Sequence, residues 1–449
     1  MNNLSISHHE KPYTMRSLLA YAAPTISVMI FVSIYTMVDG IFVARYVNAT
    51  ALAAVNIFMP VYALIFAVAL MLGTGGSAII AKKMGQNQYG EARRNFTFIV
   101  CCGFMFGVLI MAAGSLFLEQ LLTLLGAAES VQLFDYTKAY AKIILLVSPF
   151  LIVQAMLETL FVTADKPKLS LIITIIGGST NIALDYLFIV VMDMGIRGAA
   201  LATAIGIVIP AILGVIYFFA ARKSSLYFTR LKADWHVLVK SCANGSSEMV
   251  TNLSSSIVTF AFNALMLKFV GVEGVAAVTI MLYVMFVLTP FFMGYSVGIA
   301  PLISFHFGSR NTGQLKLIVK NSLTFIAGSS LIIFLSSLLF GPYLIQIMSP
   351  EGSDVYEIAT DGLWIFSISF LFMGVNIFTS MLFTALSNGK ISAVISLLRT
   401  LVFVLMSLAT LPFIFGLTGI WIAIPLAELL SVIVCGLFLL RNKRKYQYA

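Results

Sequence analysis

The sequence predicts an all-α integral membrane protein of twelve transmembrane helices, arranged as two pseudo-symmetric six-helix lobes. Three observations carry this expectation. The 449-residue chain is 60% hydrophobic and only 10% charged, with a mean hydropathy of +1.01, whereas soluble domains carry about 25% charged residues. It holds twelve apolar runs of spanning length, and its second half repeats the first.

Crossing roughly 30 Å of hydrocarbon takes about 20 apolar residues. Runs of that length or more fall near 17–46, 51–81, 94–118, 137–164, 168–192, 197–221, 242–270, 274–306, 318–341, 358–387, 390–415 and 418–440. No segment with a small-residue cleavage site precedes the first run, so it reads as an anchor behind a short polar tail rather than as a removable signal peptide. With both termini cytoplasmic, 22 lysines and arginines fall inside, and five (Arg45, Lys138, Lys142, Arg197 and Lys268) fall outside. That is the bias the positive-inside rule requires. The outer loops are acidic instead, with Glu119, Glu129 and Asp135 in one and Glu351, Asp354 and Glu357 in another. The expected location is the cell membrane, multi-pass, with membrane lipids as surroundings.

The net charge of +9 sits in short loops, with no basic domain to hold a polyanion, so nucleic acid is not an expected partner. The four cysteines, Cys101, Cys102, Cys242 and Cys435, lie within or at the inner ends of apolar runs. They lack metal-ligand spacing, and neither disulfides nor zinc are expected.

The repeat is legible in motifs. Leu52–Ile57 (LAAVNI) answers Val275–Ile280 (VAAVTI), and 85–92 (GQNQYGEA) answers 308–315 (GSRNTGQL), both at an offset of 223. Lys168 pairs with Lys390 at 222, and Gly195 and Gly198 pair with Gly416 and Gly419 at 221. Six helices return each half to the same side, so the repeats are parallel. This places an N-lobe at 1–221, a cytoplasmic linker at 222–241 and a C-lobe at 242–449. The linker is polar and basic, and is expected to include a short amphipathic piece on the membrane surface.

Within this apolar frame the fifth run carries Asn181 and Asp185, four residues apart and therefore on one helix face. Ionisable groups in the hydrocarbon region are rare, face a bundle interior or wet cavity, and mark function by default. Asp39 and Asp185 each lie seven residues before the outer ends of their spans, about 10 Å deep at 1.5 Å per residue. Thr203 reaches nearly the same level from the outer end of the sixth span. Tyr35 and Thr36, a turn below Asp39, add hydroxyls as possible coupling groups. The second half lacks the acid pair: Phe262 stands opposite Asp39, and Met406 or Ser407 opposite Asp185. If two acids served only to hold a lobe together, the other lobe should need them too. Oxygen-only ligands favour hard cations, and two neighbouring carboxylates in a low-dielectric site suit proton exchange. The set Asp39, Asn181, Asp185 and Thr203 is thus a candidate H+ site, or a metal site if the ion is Na+. The alternative is that Asn181 and Asp185 only glue helices together.

Other groups are less determined. Glu248 lies near the inner end of the seventh span, and Glu428 in mid-membrane has only Arg399 as an evident partner, structural or functional. Glu158, about two turns from the inner end of the fourth span, reads as interfacial. His8, His9, His236 and His306 form no catalytic set, and all but His306 read as exposed. Pro24 interrupts the first span and marks a hinge or a static kink. Gly73-Thr-Gly-Gly76 permits close helix packing. Phe (36) and Met (21) are abundant, and Met281, Met285, Phe286, Phe291 and Met293 are candidates for an adaptable substrate cavity.

These features resemble the multidrug and toxic compound extrusion (MATE) family. The resemblance covers nearly the whole chain and rests on Pro24 with Asp39, the LAAVN motif at 52–56, the glycine-rich second span, Asn181 with Asp185, and Thr203. It implies two six-helix lobes in a V around a central cavity, an N-lobe site for Na+ or H+ formed by those acids, Asn181 and Thr203, and a bend of the first helix at Pro24. Branches of the family with a C-lobe site use acids where this chain has Ser255 and Asn376, so that site is not carried over. The GSSEM motif keeps Glu248 in play. The expected function is a cation-coupled antiporter, H+ or Na+, that exports amphipathic, cationic small molecules as a monomer, without a cofactor. The alternative is a flippase for lipid-linked oligosaccharide, which would need cationic groups lining its cavity. An enzyme is not expected: there is no HExxH motif and no sizeable soluble domain.

Overall fold

Lipid offers the backbone no hydrogen-bond partners, so each apolar run must close its own bonds as a helix. The computed structural model describes residues 13–449, and among these every span is helical and no strand occurs. The elements are α1 (Met15–Tyr46), α2 (Ala49–Gly85), α3 (Tyr89–Leu116), the short α4 (Leu118–Leu124), α5 (Val131–Thr163), α6 (Pro167–Asp185), α7 (Gly195–Ala220), α8 (Trp235–Phe269), α9 (Val272–Gly308), α10 (Thr312–Met348), α11 (Asp354–Ser367), α12 (Phe370–Ala385), α13 (Gly389–Leu397), α14 (Phe403–Phe415) and α15 (Leu417–Tyr446). π-Helical stretches at Tyr186–Val191 and Leu398–Val402 continue α6 and join α13 to α14. Eleven of the resulting segments are long and apolar enough to cross a membrane; α11 and α12, bent by 53° where they meet, make the twelfth. The predicted twelve-span, all-α architecture is therefore present, with the run at 358–387 broken near 368. The predicted polar tail, with His8 and His9, lies outside the described residues.

Helix starts follow local chemistry. Ser130, Asn311, Ser353 and Asn388 each accept a backbone N–H three residues on, at 3.2, 3.1, 3.2 and 3.4 Å, which satisfies donors that the first turn leaves free. Pro167 opens α6, where its missing N–H costs nothing.

The repeat read from the sequence is written into the backbone. Helices α2 and α9 each have 37 residues and start 223 apart. Left-handed φ values recur in pairs at Asn87 and Arg310 (60° and 56°), Asp165 and Ser387 (62° and 59°), and Gly195 and Gly416 (57° and 58°). These pairs keep the offsets of 223, 222 and 221.

The chain folds into two compact units. The C-terminal unit comprises the start of α1 up to Ile26, Ala81–Asn87 and Ser254–Ala449; the N-terminal unit comprises Ser27–Ile80 and Gln88–Leu253. The boundaries fall inside α1, α2 and α8 rather than in the linker, so Glu248 belongs to the N-terminal unit. In α1 the change comes two residues after Pro24. In the connector α8 begins at Trp235, and the chain from 221 to 234 is not helical. It runs as a strap against α3 because its side chains find partners there. Arg93 donates through Nε to the Ser225 carbonyl and through a terminal nitrogen to the Tyr227 hydroxyl, both at 3.0 Å, and the Thr229 N–H donates to Thr97 at 3.0 Å. Phe228 packs on Phe96, Phe218 and Phe219.

Candidate functional site

Three helices of the N-terminal unit are drawn together by glycines. A Cβ on Gly206 of α7 would lie 2.8 Å from the Asn181 Cβ and 3.2 Å from the Gly177 carbonyl oxygen of α6. A Cβ on Gly178 would lie 2.5 Å from Phe31 and 2.8 Å from Tyr35, both on α1. Glycine alone permits backbones to approach this closely. The result sets Asn181 against α7 and carries α1 onto α6, with Asp39 one turn beyond Tyr35.

The carboxyl groups of Asp39 and Asp185 lie within hydrogen-bonding reach of each other. Asp185 is fully buried and Asn181 nearly so. Both Asp185 oxygens, Asp39 Oδ1 and both polar atoms of the Asn181 amide are sealed from solvent with no hydrogen-bond partner. Ionised carboxylates are acceptors only, so two in contact have no donor between them. Leaving such groups buried and unpaired is costly. Chemically, such a set of oxygens could take up a proton or a small hard cation. Among the described residues no group of three or more His, Cys, Asp or Glu side chains is placed to hold a metal ion.

The remaining members are placed as follows. The Thr203 hydroxyl donates to the Ala199 carbonyl at 3.0 Å and lies within hydrogen-bonding reach of Tyr140, whose ring is buried within electrostatic reach of both Asp39 and Asp185. Thr36 spends its hydroxyl on the Val32 carbonyl at 2.8 Å. Tyr35 stands near Asp39, Tyr62 and Glu158. Glu248, on α8, is buried, and its carbonyl accepts from Asn252 at 2.9 Å. Sequence reasoning missed Tyr140 and Tyr62, and it missed the partners of Glu158, which accepts from Gln154 at 2.8 Å and from Thr174 on α6 at 3.5 Å.

In the C-terminal unit the cavity candidates separate. Met281 is fully buried in the hydrophobic core, so it packs rather than lining an opening. Met285, Phe291 and Met293 are partly buried against that core, with the Phe291 ring 5.9 Å from Phe292 and 6.1 Å from Phe325. Phe286 is exposed. Glu428 does have partners: Asn376 Nδ2 donates to Oε2 at 2.6 Å and to the Glu428 carbonyl at 2.8 Å, while Arg399 sits 3.4 Å from Oε1. His306 is buried with its ring edge-on to Tyr13 and Phe305, each at 5.5 Å, and His236 is exposed as expected.

Comparison with known proteins adds to this geometry. The family model MatE matches residues 24–187 and 249–409. The chain is 25% identical over 452 residues to the multidrug export protein MepA of Staphylococcus saprophyticus, covering 99% of this chain and 98% of that protein. It is 24% identical over 448 residues to MepA of Staphylococcus aureus, with the same coverage. Among solved structures, an outward-facing multidrug resistance MATE transporter of the MOP superfamily superposes with a TM-score of 0.91 at 21% identity, covering all of both chains. A MATE structure in a straight conformation gives 0.93 at 20% identity, again covering all of both chains. One in a bent conformation gives 0.90 at 20%, covering 100% of this chain and 99% of that one.

Proposed function

The chain belongs to the MatE family of membrane transporters, and from that premise we propose that it is a cation-coupled antiporter exporting amphipathic, cationic drugs or metabolites by alternating access. The single observation that carries this reading is the buried contact of Asp39 with Asp185, a set of acceptors with no donor of its own. Capture of H+ or Na+ there changes the charge of the site. A ligand shifts a conformational equilibrium only by binding one state better than the other, and a cluster that is costly when empty and stable when filled has that property. The break between the two compact units, two residues after Pro24, supports Pro24 as the hinge of α1.

The ion enters from outside and the substrate leaves outward. One charge crossing about 150 mV supplies roughly 3.5 kcal/mol, enough for a substrate gradient of several hundredfold when fully coupled. The lysine and arginine bias supports cytoplasmic termini and the cell membrane, and a single chain carries both halves of the repeat, so we take the monomer as the working unit. The multidrug export names of the MepA relatives support drugs as the cargo class. The flippase alternative is not favoured, since its phosphate-bearing cargo calls for free cationic groups and Arg399 is already held against Glu428.

The test is transport into proteoliposomes under an imposed pH or Na+ gradient, scored on organic cations and neutral drugs. Asp39→Asn and Asp185→Asn are expected to abolish gradient-driven transport while the protein stays monodisperse. Full transport by both variants overturns the reading.

A further inference from the structure

The N-terminal unit holds a third carboxylate that the coupling site does not use. Glu158 of α5 is half-buried, five residues before the Thr163 end of the helix. Its Oε1 takes both available donors, from Gln154 and Thr174. Its Oε2 accepts no hydrogen bond, yet it is not among the polar atoms sealed from solvent, so it faces reachable space. Among the described residues no lysine, arginine or histidine is paired with it. Tyr35 of α1 and Tyr62 of α2, both half-buried, lie within electrostatic reach of Glu158, of Asp39 and of each other.

The repeat shows that a carboxylate is not needed here for packing. At an offset of 222, Glu158, Ser170 and Thr174 correspond to Ser380, Ser392 and Ser396. The hydrogen bonds correspond as well. Ser170 donates to the Glu158 carbonyl at 3.3 Å, and Ser392 to the Ser380 carbonyl at 2.7 Å. Thr174 meets the Glu158 side chain at 3.5 Å, and Ser396 meets the Ser380 side chain at 3.0 Å. The second half closes the same helix junction with a hydroxyl. The first half spends a carboxylate at this junction instead, and partly burying a charge is costly unless that charge is used.

We propose that Glu158 is the recognition carboxylate for the charged group of a lipophilic organic cation, with Tyr35 and Tyr62 offering the aromatic faces against which it lies. A carboxylate with one free oxygen and two phenol rings within its electrostatic reach offers such a cation both a counter-charge and ring quadrupoles, and it sets no demand for directional hydrogen bonds, which suits varied cargo. The site lies within electrostatic reach of Asp39 through the same two tyrosines, so filling one disfavours filling the other. This proposal rests on the export reading above and names its cargo site.

The experiment is equilibrium binding of radiolabelled tetraphenylphosphonium to the purified full chain in detergent. Glu158→Gln is expected to raise Kd at least tenfold, Glu158→Ser, which copies the other half of the repeat, to do the same with unchanged thermal unfolding, and Tyr62→Leu to raise it severalfold. Tetraphenylphosphonium binding that is absent in the native protein, or unchanged in Glu158→Gln and Glu158→Ser, overturns the proposal. The export reading is judged separately: it fails if Asp39→Asn and Asp185→Asn retain gradient-driven transport, whatever the binding assay gives.

Discussion

The buried pair in the C-terminal unit supplies a sharp energetic test. Arg399 and Glu428 are both under a tenth exposed, and a single 3.4 Å contact joins them, with Asn376 holding the other carboxylate oxygen at 2.6 Å. Removing one partner of a buried ion pair costs about 3–5 kcal/mol, because the survivor is left charged and unpaired. Here the contact is monodentate and long, where strong arginine–carboxylate pairs are bidentate and shorter, and Asn376 remains in place after Arg399 is lost. Arg399→Met should therefore cost about 3 kcal/mol, the low end of that range. Replacing both residues by methionine removes both desolvation costs, and Asn376 keeps its bond to the residue 428 carbonyl, at 2.8 Å in the native protein. The double variant should return to within about 1 kcal/mol of the native protein, about 2 kcal/mol more stable than Arg399→Met alone. Unfolding of the purified protein in mixed micelles with increasing dodecyl sulfate measures this, and gradient-driven transport by the double variant should persist. A double variant as unstable as the single one refutes the energetic argument. A stable double variant without transport places coupling in this half of the chain instead.

Two further outcomes follow from the geometry. Gly206→Ala drives a methyl group into Asn181, where a Cβ has only 2.8 Å; overpacking of about 1–3 kcal/mol outweighs a helix-propensity gain of about 1 kcal/mol, and transport should fall at least ~10-fold, whereas Gly436→Ala, with open space around its Cβ, should leave transport unchanged, and equal effects of the two would dismiss the α6–α7 contact as a determinant of the site. Arg93→Ala removes two 3.0 Å hydrogen bonds and a guanidinium stacked 4.2 Å from the Tyr227 ring, so tryptic cleavage at Arg230 and Lys232 should accelerate about tenfold, the factor for 1.4 kcal/mol of easier local opening, and an unchanged cleavage rate would show that the strap is held elsewhere.

What the sequence disclosed and what it hid have physical reasons. Spans, repeat and the approach of Asp39 to Asp185 were legible because a polar group in an apolar run stands out, and helical rise converts position into depth. Tyr140 and Tyr62 carry no such signal, since a tyrosine in an aromatic-rich helix looks like packing until its hydroxyl is placed. Glu428 and Asn376 are 52 residues apart in the chain, and nothing in a single helix reveals which face of another it meets. Depth alone does not reveal the partners of Glu158, although the repeat holds a clue: the 222 offset aligns it with a serine. The break near 368 was hidden because Ser367 and Ser369 flank it without proline or glycine. The strap was hidden because its aromatic residues are the kind that also favour a membrane surface.

The two halves treat buried acids in opposite ways, and this contrast bears on whether the Asp39–Asp185 contact merely holds helices together. Where the chain buries a carboxylate at Glu428, it supplies an amide on one oxygen and a guanidinium on the other. The same fold, repeated at a nearly constant offset, can thus satisfy an acid when satisfaction is what the packing requires. At Asp185 it does the reverse: neither oxygen receives a donor, the neighbouring Asn181 amide is left without a partner, and the nearest charge is a second carboxylate. Helix adhesion would be served better by replacing either acid with asparagine, which brings its own donor. An arrangement that is poor glue is chemically a good set of ligands for a cation, and a ligand that binds one conformer better than another shifts the balance between them.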